Sequence, residues 1–222
     1  MKNYLRKGFT ILKTSGFKGL EEKIKDKFGK SGMSYQEWYL KNEISARELE
    51  EQRNYNFNYN PLISVIVPTY NTPLNFLEEM IDSLKKQSYT NWELCIGDGS
   101  EGNLELEQYL KQASINDARI KYKILDCNRG IAGNTNGALE LADGDYVALL
   151  DHDDFLAPQA LFRVVELLQE TDKIDVFYTD EDFVSGDGKT HIFPILKPDY
   201  SEELLCSHNY ITHFFVAKRA LF

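Results

Sequence analysis

Short runs of β-branched and other apolar residues alternate with segments of helical periodicity between residues 62 and 178. Runs of this length, bounded by turn residues, are typical of buried strands. The predicted strands are Leu62–Pro68, Trp92–Ile96, Ile120–Leu125, Tyr146–Leu150 and Ile174–Tyr178. The predicted helices are Pro73–Gln87 (with Thr72 as its cap), Asn103–Ala113, Ala132–Ala142 and Pro158–Glu170. Because strands that alternate with helices form parallel sheets, the pattern predicts an α/β fold with a mostly parallel sheet and helices on both faces.

Residues 1–60 are predicted to form an N-terminal helical extension and a linker, followed by the main domain over residues 61–222. Residues 1–30 carry nine Lys or Arg against three Asp or Glu, with apolar residues at helical spacings. This pattern predicts a basic amphipathic helix that either contacts an anionic membrane surface or packs on protein. A second, Glu-rich helix is predicted over Tyr35–Arg53, and residues 54–60 are interpreted as the linker.

The charge and cysteine content narrow the classes of function. The net charge of −10 argues against a nucleic-acid-binding surface. Cys95, Cys127 and Cys206 are far apart and lack the spacing of a metal site, so free thiols in a reducing compartment are expected. No stretch reaches 18 consecutive apolar residues. We therefore expect a cytoplasmic protein, with peripheral contact at the inner face of the cell membrane as a further possibility for residues 1–30.

Polar loops follow the first four predicted strands. In a parallel sheet the carboxyl ends of the strands meet at one edge, where ligands bind. The fourth strand ends in Asp151-His-Asp-Asp154, and such a group of like charges is costly to bury unless a cation neutralises it. For that cluster alone, a solvated acidic loop is an equally good interpretation. The other three loops are Pro68-Thr-Tyr-Asn71, Gly97-Asp-Gly-Ser100 and the glycine-rich helix entry Asn128–Gly137.

These four loops, in this order, resemble the signatures of family 2 glycosyltransferases. The matching segments are Ser64-Val-Ile-Val-Pro-Thr-Tyr-Asn71, Gly97-Asp-Gly-Ser100, Asn128-Arg-Gly-Ile-Ala-Gly-Asn-Thr-Asn136 and Asp151-His-Asp-Asp154. The resemblance covers about residues 62–222 and implies the GT-A fold. It also implies a nucleoside-diphosphate sugar as donor and Mn²⁺ or Mg²⁺ as cofactor. The segments Phe193–Tyr200 and Asn209–His213 are similar to enzymes that build bacterial cell-surface polysaccharides, which implies a saccharide or lipid-linked acceptor.

The resemblance also implies roles for individual residues. Asp98 would hydrogen-bond the nucleobase, Asp151 would reach the ribose, and Asp153, with Asp151 as the second candidate, would ligate the metal bound to the diphosphate. Lys197 and His213 are candidate contacts to the acceptor or diphosphate, although for His213 alone we favour a role as a satisfied core residue. The remaining nucleotide-binding candidates are Pro68, Thr69, Tyr70, Asn128, Arg129, Gly130 and Asn136.

Two departures from the family pattern affect the nucleotide site. Gly97 stands where the usual Asp-Asp-Gly-Ser turn has its first Asp, and Thr135 stands where an Arg often precedes the last Asn. Arg129 could compensate for the missing Arg.

The family resemblance implies that the catalytic base lies in a Glu-Asp or Gln-Asp pair downstream of the strand near Tyr210–Lys218. The chain stops at Phe222, before any such pair. Either one of Asp180, Glu181 and Asp182 substitutes, or the chain is a truncated, donor-binding half, which we expect. These three acids could equally form a solvated turn. Two hypotheses follow: a metal-dependent, inverting glycosyltransferase, or a module that binds a nucleotide-sugar without turnover.

Overall fold

The structure, a computed structural model, describes residues 33–170, 174–186 and 188–222. The helix predicted within residues 1–30 lies outside these residues. The chain divides into two compact units. Of the described residues, those of 33–43 and 180–200 belong to one unit, and those of 44–179 and 201–222 belong to the other. The domain boundary near residue 60 therefore stays a prediction.

The larger unit is built on a six-stranded sheet. Its strands in chain order are β1 (Ile63–Thr69), β2 (Trp92–Asp98), β3 (Ile120–Ile124), β4 (Tyr146–Leu149), β5 (Val176–Tyr178) and β8 (Phe215–Lys218). Their order across the sheet is β3-β2-β1-β4-β8-β5. The pairs from β3 to β4 are parallel, and β8 pairs antiparallel with both β4 and β5. The predicted, mostly parallel α/β sheet is confirmed.

Both faces of this sheet are covered by helices. Because successive side chains of a strand point to opposite faces, Val65 and Val67 of β1 belong to one core while Ile66 belongs to the other. The helices of this unit are α2 (Ala46–Arg53), α3 (Leu74–Lys85), α4 (Leu104–Asn116), α5 (Gly130–Leu139), α6 (Ala160–Glu170) and α7 (Glu202–Ser207), with a 3₁₀ turn at Arg219–Leu221. Helices α3, α4 and α6 contribute to the first core, and α5 contributes to the second.

Two local predictions were wrong. The single helix predicted over Tyr35–Arg53 is two helices, because Ser45 begins a new one with a capping box that involves Glu48. Thr72 does not cap α3: Pro73 occupies the cap position, and the buried Thr72 hydroxyl has no hydrogen-bond partner among the described residues. The proline replaces a side-chain cap by holding the backbone at the φ that a helix entry requires.

The smaller unit consists of helix α1 (Tyr35–Asn42) and the antiparallel hairpin of β6 (Glu181–Val184) and β7 (His191–Ile195). Asp182 joins its parts: the carboxylate accepts from Tyr35 Oη at 2.7 Å and lies 2.8 Å from His191 Nδ1. The Tyr39 ring stacks on the His191 ring, with centroids 3.5 Å apart. The strands β6 and β7 were not predicted from the sequence, for which a turn at residues 180–188 was one interpretation.

A charged network holds together the amino ends of four segments of the sheet. Buried Glu93 of β2 accepts from Ser64 Oγ (2.6 Å) and Asp143 N (2.6 Å) and pairs with Lys121 Nζ (2.6 Å). Lys121 also pairs with Asp143 at 2.6 Å. Burial opposes the charge on Glu93, but the hydrogen bonds from Lys121, Ser64 and the Asp143 backbone outweigh it and lower the pKa of its carboxyl.

We predict that Glu93→Gln destabilises the protein at neutral pH by about 1–3 kcal/mol, since it leaves Lys121 and buried donors without their carboxylate. The folded-state pKa of Glu93 lies below its unfolded value. Its contribution is therefore present above the ordinary pKa of about 4.3 and is lost as the pH falls through the lower folded value. Denaturant unfolding at a series of pH values should show a shallower acid loss of stability in the variant. The exposed Glu140→Gln is the control, and parallel curves for wild type and Glu93→Gln would contradict the prediction.

Candidate functional site

The ends of β1 and β2 are joined by a buried hydrogen-bond network centred on the Asp98 carboxylate. Its Oδ1 atom accepts from Thr69 Oγ1 (2.9 Å), Ser100 N (3.1 Å) and Ser100 Oγ (2.6 Å). The Ser100 hydroxyl accepts from Asn71 N at 2.6 Å. Thr69, Asp98 and Ser100 are all buried. Because a buried network of this kind is rigid only when its members are satisfied, these bonds fix the strand ends before any ligand arrives.

The loop that enters α5 is held to β1 by the amide of Asn134. Its Nδ2 atom donates to Thr69 O (3.2 Å) and to Asn128 Oδ1 (3.1 Å), and its Oδ1 atom accepts from Arg129 N (3.0 Å). Asn128 Oδ1 also accepts from Gly130 N at 2.9 Å. Gly130 has φ +71°, a conformation that favours glycine and turns the chain into the helix. The glycine-rich loop and the end of β1 therefore form one unit.

Gly97 and Gly99 allow α5 to approach β2 closely. A Cβ atom at Gly97 would lie 2.3 Å from Asn134 O and 2.7 Å from Ala138 N, and one at Gly99 would lie 2.6 Å from Asn134 Nδ2. These distances are shorter than van der Waals contact, and the atoms met at Gly97 belong to the backbone. The departure from the family pattern at Gly97 is thus explained by the packing of α5, which leaves no room for an aspartate.

The acidic turn after β4 brings together Asp151, Asp154 and His213. His213 Nε2 lies 3.6 Å from Asp151 Oδ2, and His213 Nδ1 lies 3.8 Å from Asp154 Oδ2. One donor atom from each residue lies within 4.8 Å of the other two. The three side chains are 43–51% exposed, so they are open to a ligand. Two carboxylates and an imidazole are a donor set that suits a divalent ion such as Mn²⁺.

Asp153, the metal ligand predicted from the sequence, lies in the same turn but is exposed and outside this group. Asp154, to which the sequence assigned no role in metal binding, belongs to the group instead. His213 was a candidate for the acceptor or diphosphate, and it lies beside the predicted Asp151. Whether Asp153 ligates a metal stays a prediction.

The other predicted nucleotide-binding residues surround the ends of β1, β2 and the α5 entry. Tyr70 is 50% exposed at the end of β1, next to half-buried Pro68. Asn128, Arg129, Gly130 and Asn136 are exposed. The Arg129 guanidinium pairs with Asp126 at 2.6 Å, and these contacts lower the pKa of the Asp126 carboxyl. Thr135, in place of the usual Arg, donates its hydroxyl to Ile131 O within the helix at 2.8 Å.

In the smaller unit, the three candidate bases all make contacts within that unit. Asp180 Oδ1 accepts from Lys197 N at 2.7 Å, and Glu181 lies 3.5 Å from Lys197 Nζ. Asp182 is bonded to Tyr35 and His191, as described above. The Lys197 side chain is 2% exposed, and burial lowers the pKa of its amine despite the nearby carboxylates. The roles of these four residues stay predictions.

Sequence reasoning missed Asn134 and Ser100. An asparagine inside a helix competes with the backbone for hydrogen bonds and is unfavourable there without a reason. Asn134 between Gly133 and Gly137 was such a signal, and its burial beside Gly99 supplies the reason. Ser100 stood in the recognised turn, but nothing in the sequence indicated that its hydroxyl bridges Asp98 and Asn71.

The comparisons with known proteins identify the class. The model for "Glycosyl transferase family 2" matches residues 64–222, and the chain belongs to this family. An uncharacterized protein of Sinorhizobium fredii, y4gI, is 41% identical over 161 residues, which cover 72% of this chain and 18% of that protein. The O-antigen biosynthesis protein RfbC of Myxococcus xanthus is 32% identical over 159 residues, 72% of this chain and 12% of that protein. The chain thus spans less than a fifth of either relative.

A solved structure shows the same fold. The S. aureus protein TarS (residues 1–349) in complex with UDP is 29% identical, with a TM-score of 0.50, and the match covers 56% of this chain and 36% of that one. The GT-A fold predicted from the sequence is confirmed, as is the resemblance to family 2 enzymes of cell-surface polysaccharide synthesis. Among the described residues, no helix is both long and apolar enough to cross a membrane.

We predict that Gly97→Ala destabilises the protein by about 1–3 kcal/mol, because the added methyl group forces α5 away from β2. Gly186→Ala is the control, since a Cβ atom there would meet nothing within 4 Å, and it should change stability by less than about 0.5 kcal/mol. Denaturant unfolding measures both. Equal stability of wild type and Gly97→Ala would show that the close approach of α5 is not required.

Proposed function

We propose that this chain binds a nucleoside-diphosphate sugar at the carboxyl edge of its parallel sheet. It would transfer the sugar, with the help of a divalent cation, to a saccharide or lipid-linked acceptor in cell-surface polysaccharide synthesis. The observation that carries the proposal is the convergence at this edge of the Asp98 network, the Asn134-bound loop and the Asp151–Asp154–His213 group. Family membership and a relative named for O-antigen biosynthesis support it.

The nucleoside would be held by the ends of β1 and β2 and by the α5 entry. Asp98 would accept a hydrogen bond from the base. Tyr70, which is half exposed and directly follows Thr69, the neighbour of Asp98 in the sheet, would offer an aromatic face. Asn128, Arg129, Gly130 and Asn136 would lie along the nucleotide, and Asp151 would reach the ribose. The complex of TarS with UDP supports a nucleotide ligand for this fold.

The diphosphate and cation would lie at the acidic turn. Asp151, Asp154 and His213 would hold the cation, and Asp153 is the further ligand that the motif predicts. A bound divalent cation supplies charge stabilisation for the leaving diphosphate. The chain's own contribution is to keep these donors in place, and the cation would neutralise the mutual repulsion of Asp151 and Asp154.

The acceptor hydroxyl requires a carboxylate base for an inverting displacement. Asp180, Glu181 and Asp182 remain the candidates in this chain, with Lys197 as a candidate acceptor contact. Each carboxylate would have to exchange the contacts that it makes within the smaller unit. Membership of a transferase family favours transfer over the second hypothesis, a module that binds a nucleotide-sugar without turnover.

We predict that Asp98→Asn weakens nucleotide binding by roughly ten-fold or more, since a hydrogen bond to a charged acceptor contributes about 1.5–3 kcal/mol. The amide oxygen can still accept from Thr69 and Ser100, so the variant should fold. Calorimetric titration with UDP, GDP and dTDP, alone and as sugar conjugates with Mn²⁺, measures the affinity for each nucleotide. It also shows which nucleobase the chain prefers.

The matched control is Asp145→Asn. Asp145 also accepts a backbone hydrogen bond, from Leu62 N at 3.0 Å, but it precedes β4 at the opposite edge of the sheet. Its replacement should leave nucleotide affinity within about two-fold of wild type. Failure of every nucleotide to bind the wild-type chain would contradict the proposed function, and unchanged affinity in Asp98→Asn would contradict the role of Asp98.

A further inference from the structure

The acidic turn is fixed at its two ends by different parts of the larger unit. At the end nearer β4, Leu150 N donates to Ile66 O at 3.1 Å, which continues the pairing with β1. At the other end the chain runs through residues 155–159 without regular secondary structure before α6 begins at Ala160. The carboxylates at 151–154 therefore depend on what holds this second segment.

The second segment is held by polar side chains from the C-terminal part of α3 and the residues after it. Ser83 Oγ accepts from Leu156 N at 3.2 Å and donates to Met80 O at 2.7 Å. Just beyond, Ser88 N donates to Pro158 O at 2.8 Å. Leu156 is the second residue after Asp154, so the first of these bonds acts directly next to the acidic turn.

Gln87 makes the central contribution and uses both ends of its amide. Its Nε2 atom donates to Ala157 O at 2.8 Å, and its Oε1 atom accepts from Leu161 N at 3.1 Å. Leu161 N is one of the first backbone donors of α6, which have no acceptor within their own helix. Gln87 is 2% exposed, so water does not replace these bonds. One side chain thus fixes the end of the loop and caps the helix that follows.

Few side chains could replace Gln87, because the position requires both a hydrogen-bond donor and an acceptor. A glutamate would place a carboxylate against Ala157 O, where a donor is needed. A leucine would leave buried Leu161 N without its acceptor and would leave Ala157 O with only the bond from Ala160 N at 2.9 Å. Burying the polar amide of a glutamine is costly unless its hydrogen bonds are made. The hydrogen bonds of Gln87 fix Ala157 and Leu161, which belong to the backbone that follows the Asp151–Asp154 turn.

We infer that Gln87, assisted by Ser83, is a positioning residue for the cation site. It acts through the main chain of residues 156–161 and holds the carboxylates of Asp151 and Asp154 at the spacing at which His213 completes the group. This inference rests on the proposed function. Gln87 itself is not one of the donors of this group, which are two carboxylates and an imidazole. Its loss should affect cation binding more than nucleoside binding, because the Asp98 network is formed by other segments.

The test compares Mn²⁺ affinity, measured from the free-ion EPR signal without nucleotide, in the wild type, Gln87→Leu and Ser83→Ala. We expect Gln87→Leu to weaken Mn²⁺ binding by roughly ten-fold, the effect typical of residues that orient metal ligands. Ser83→Ala removes one acceptor and should shift the affinity in the same direction by less. It also keeps the inference testable if Gln87→Leu does not fold.

Gln169→Leu is the matched control. Gln169 likewise binds one backbone segment with both ends of its amide, accepting from Tyr59 N (3.0 Å) and donating to Tyr59 O (2.8 Å). Its loss should lower the thermal midpoint but leave Mn²⁺ affinity within about two-fold of wild type. UDP affinity without metal should also stay within about two-fold in all three variants.

The outcomes separate the two claims. Folded Gln87→Leu with wild-type Mn²⁺ affinity, or Gln169→Leu with an equal loss, would overturn the positioning role while leaving the proposed function intact. A wild-type chain that binds UDP but no Mn²⁺ would overturn the cation site itself, and the inference with it.

Discussion

The close packing of α5 against β2 is the constraint on which the proposed site depends. Without a Cβ atom at Gly97 or Gly99, the helix backbone reaches the strand, and Asn134 reaches the carbonyl of Thr69. That contact joins the glycine-rich loop to the end of β1, and the Asp98 network joins β1 to β2. Three loops that are far apart in the chain thereby form one rigid edge. Gly97 and Gly99 are required here because they lack a side chain, and α5 occupies the space that a Cβ atom would fill.

The two edges of the sheet use polar groups differently. At the amino edge, Glu93 and Lys121 form a charged network in which opposite charges meet, so that burial is offset by pairing. At the carboxyl edge, Asp151 and Asp154 bring like charges together beside His213. Neutral side chains, Ser83 and Gln87, bond to the backbone that follows this acidic turn. An arrangement of like charges that is maintained by buried bonds elsewhere is typical of a site that binds a cation.

The sequence predicted the sheet because its determinants are local. Apolar strands, helical periodicity and turn residues each act over a few positions, and the loops at the carboxyl edge follow from topology. A strand near Tyr210–Lys218 was expected from the family resemblance, but its place between β4 and β5 was not predicted. That place depends on antiparallel pairing between residues that are far apart in the chain, such as Leu149 and Phe215. The break before Ser45 depended on a capping box, a local signal that the Glu-rich periodicity concealed.

At the candidate site, the sequence predicted which residues take part better than it predicted their hydrogen-bond partners. Asp98 and Asp151 were identified from motifs, but the roles of Asn134, Ser100 and Gln87 depend on which backbone groups the fold brings within reach. The grouping of Asp154 with His213 likewise depends on the fold, because His213 lies shortly before β8 and β8 pairs antiparallel with β4.

A crystal structure of this chain with UDP, or with whichever nucleotide binds best, and Mn²⁺ tests the proposed site most directly. We expect the base between Tyr70 and Asp98, the ribose near Asp151, and the cation on Asp151 with His213 and either Asp153 or Asp154. A nucleotide bound away from the carboxyl edge of the sheet, or a cation without Asp151 among its ligands, would contradict it.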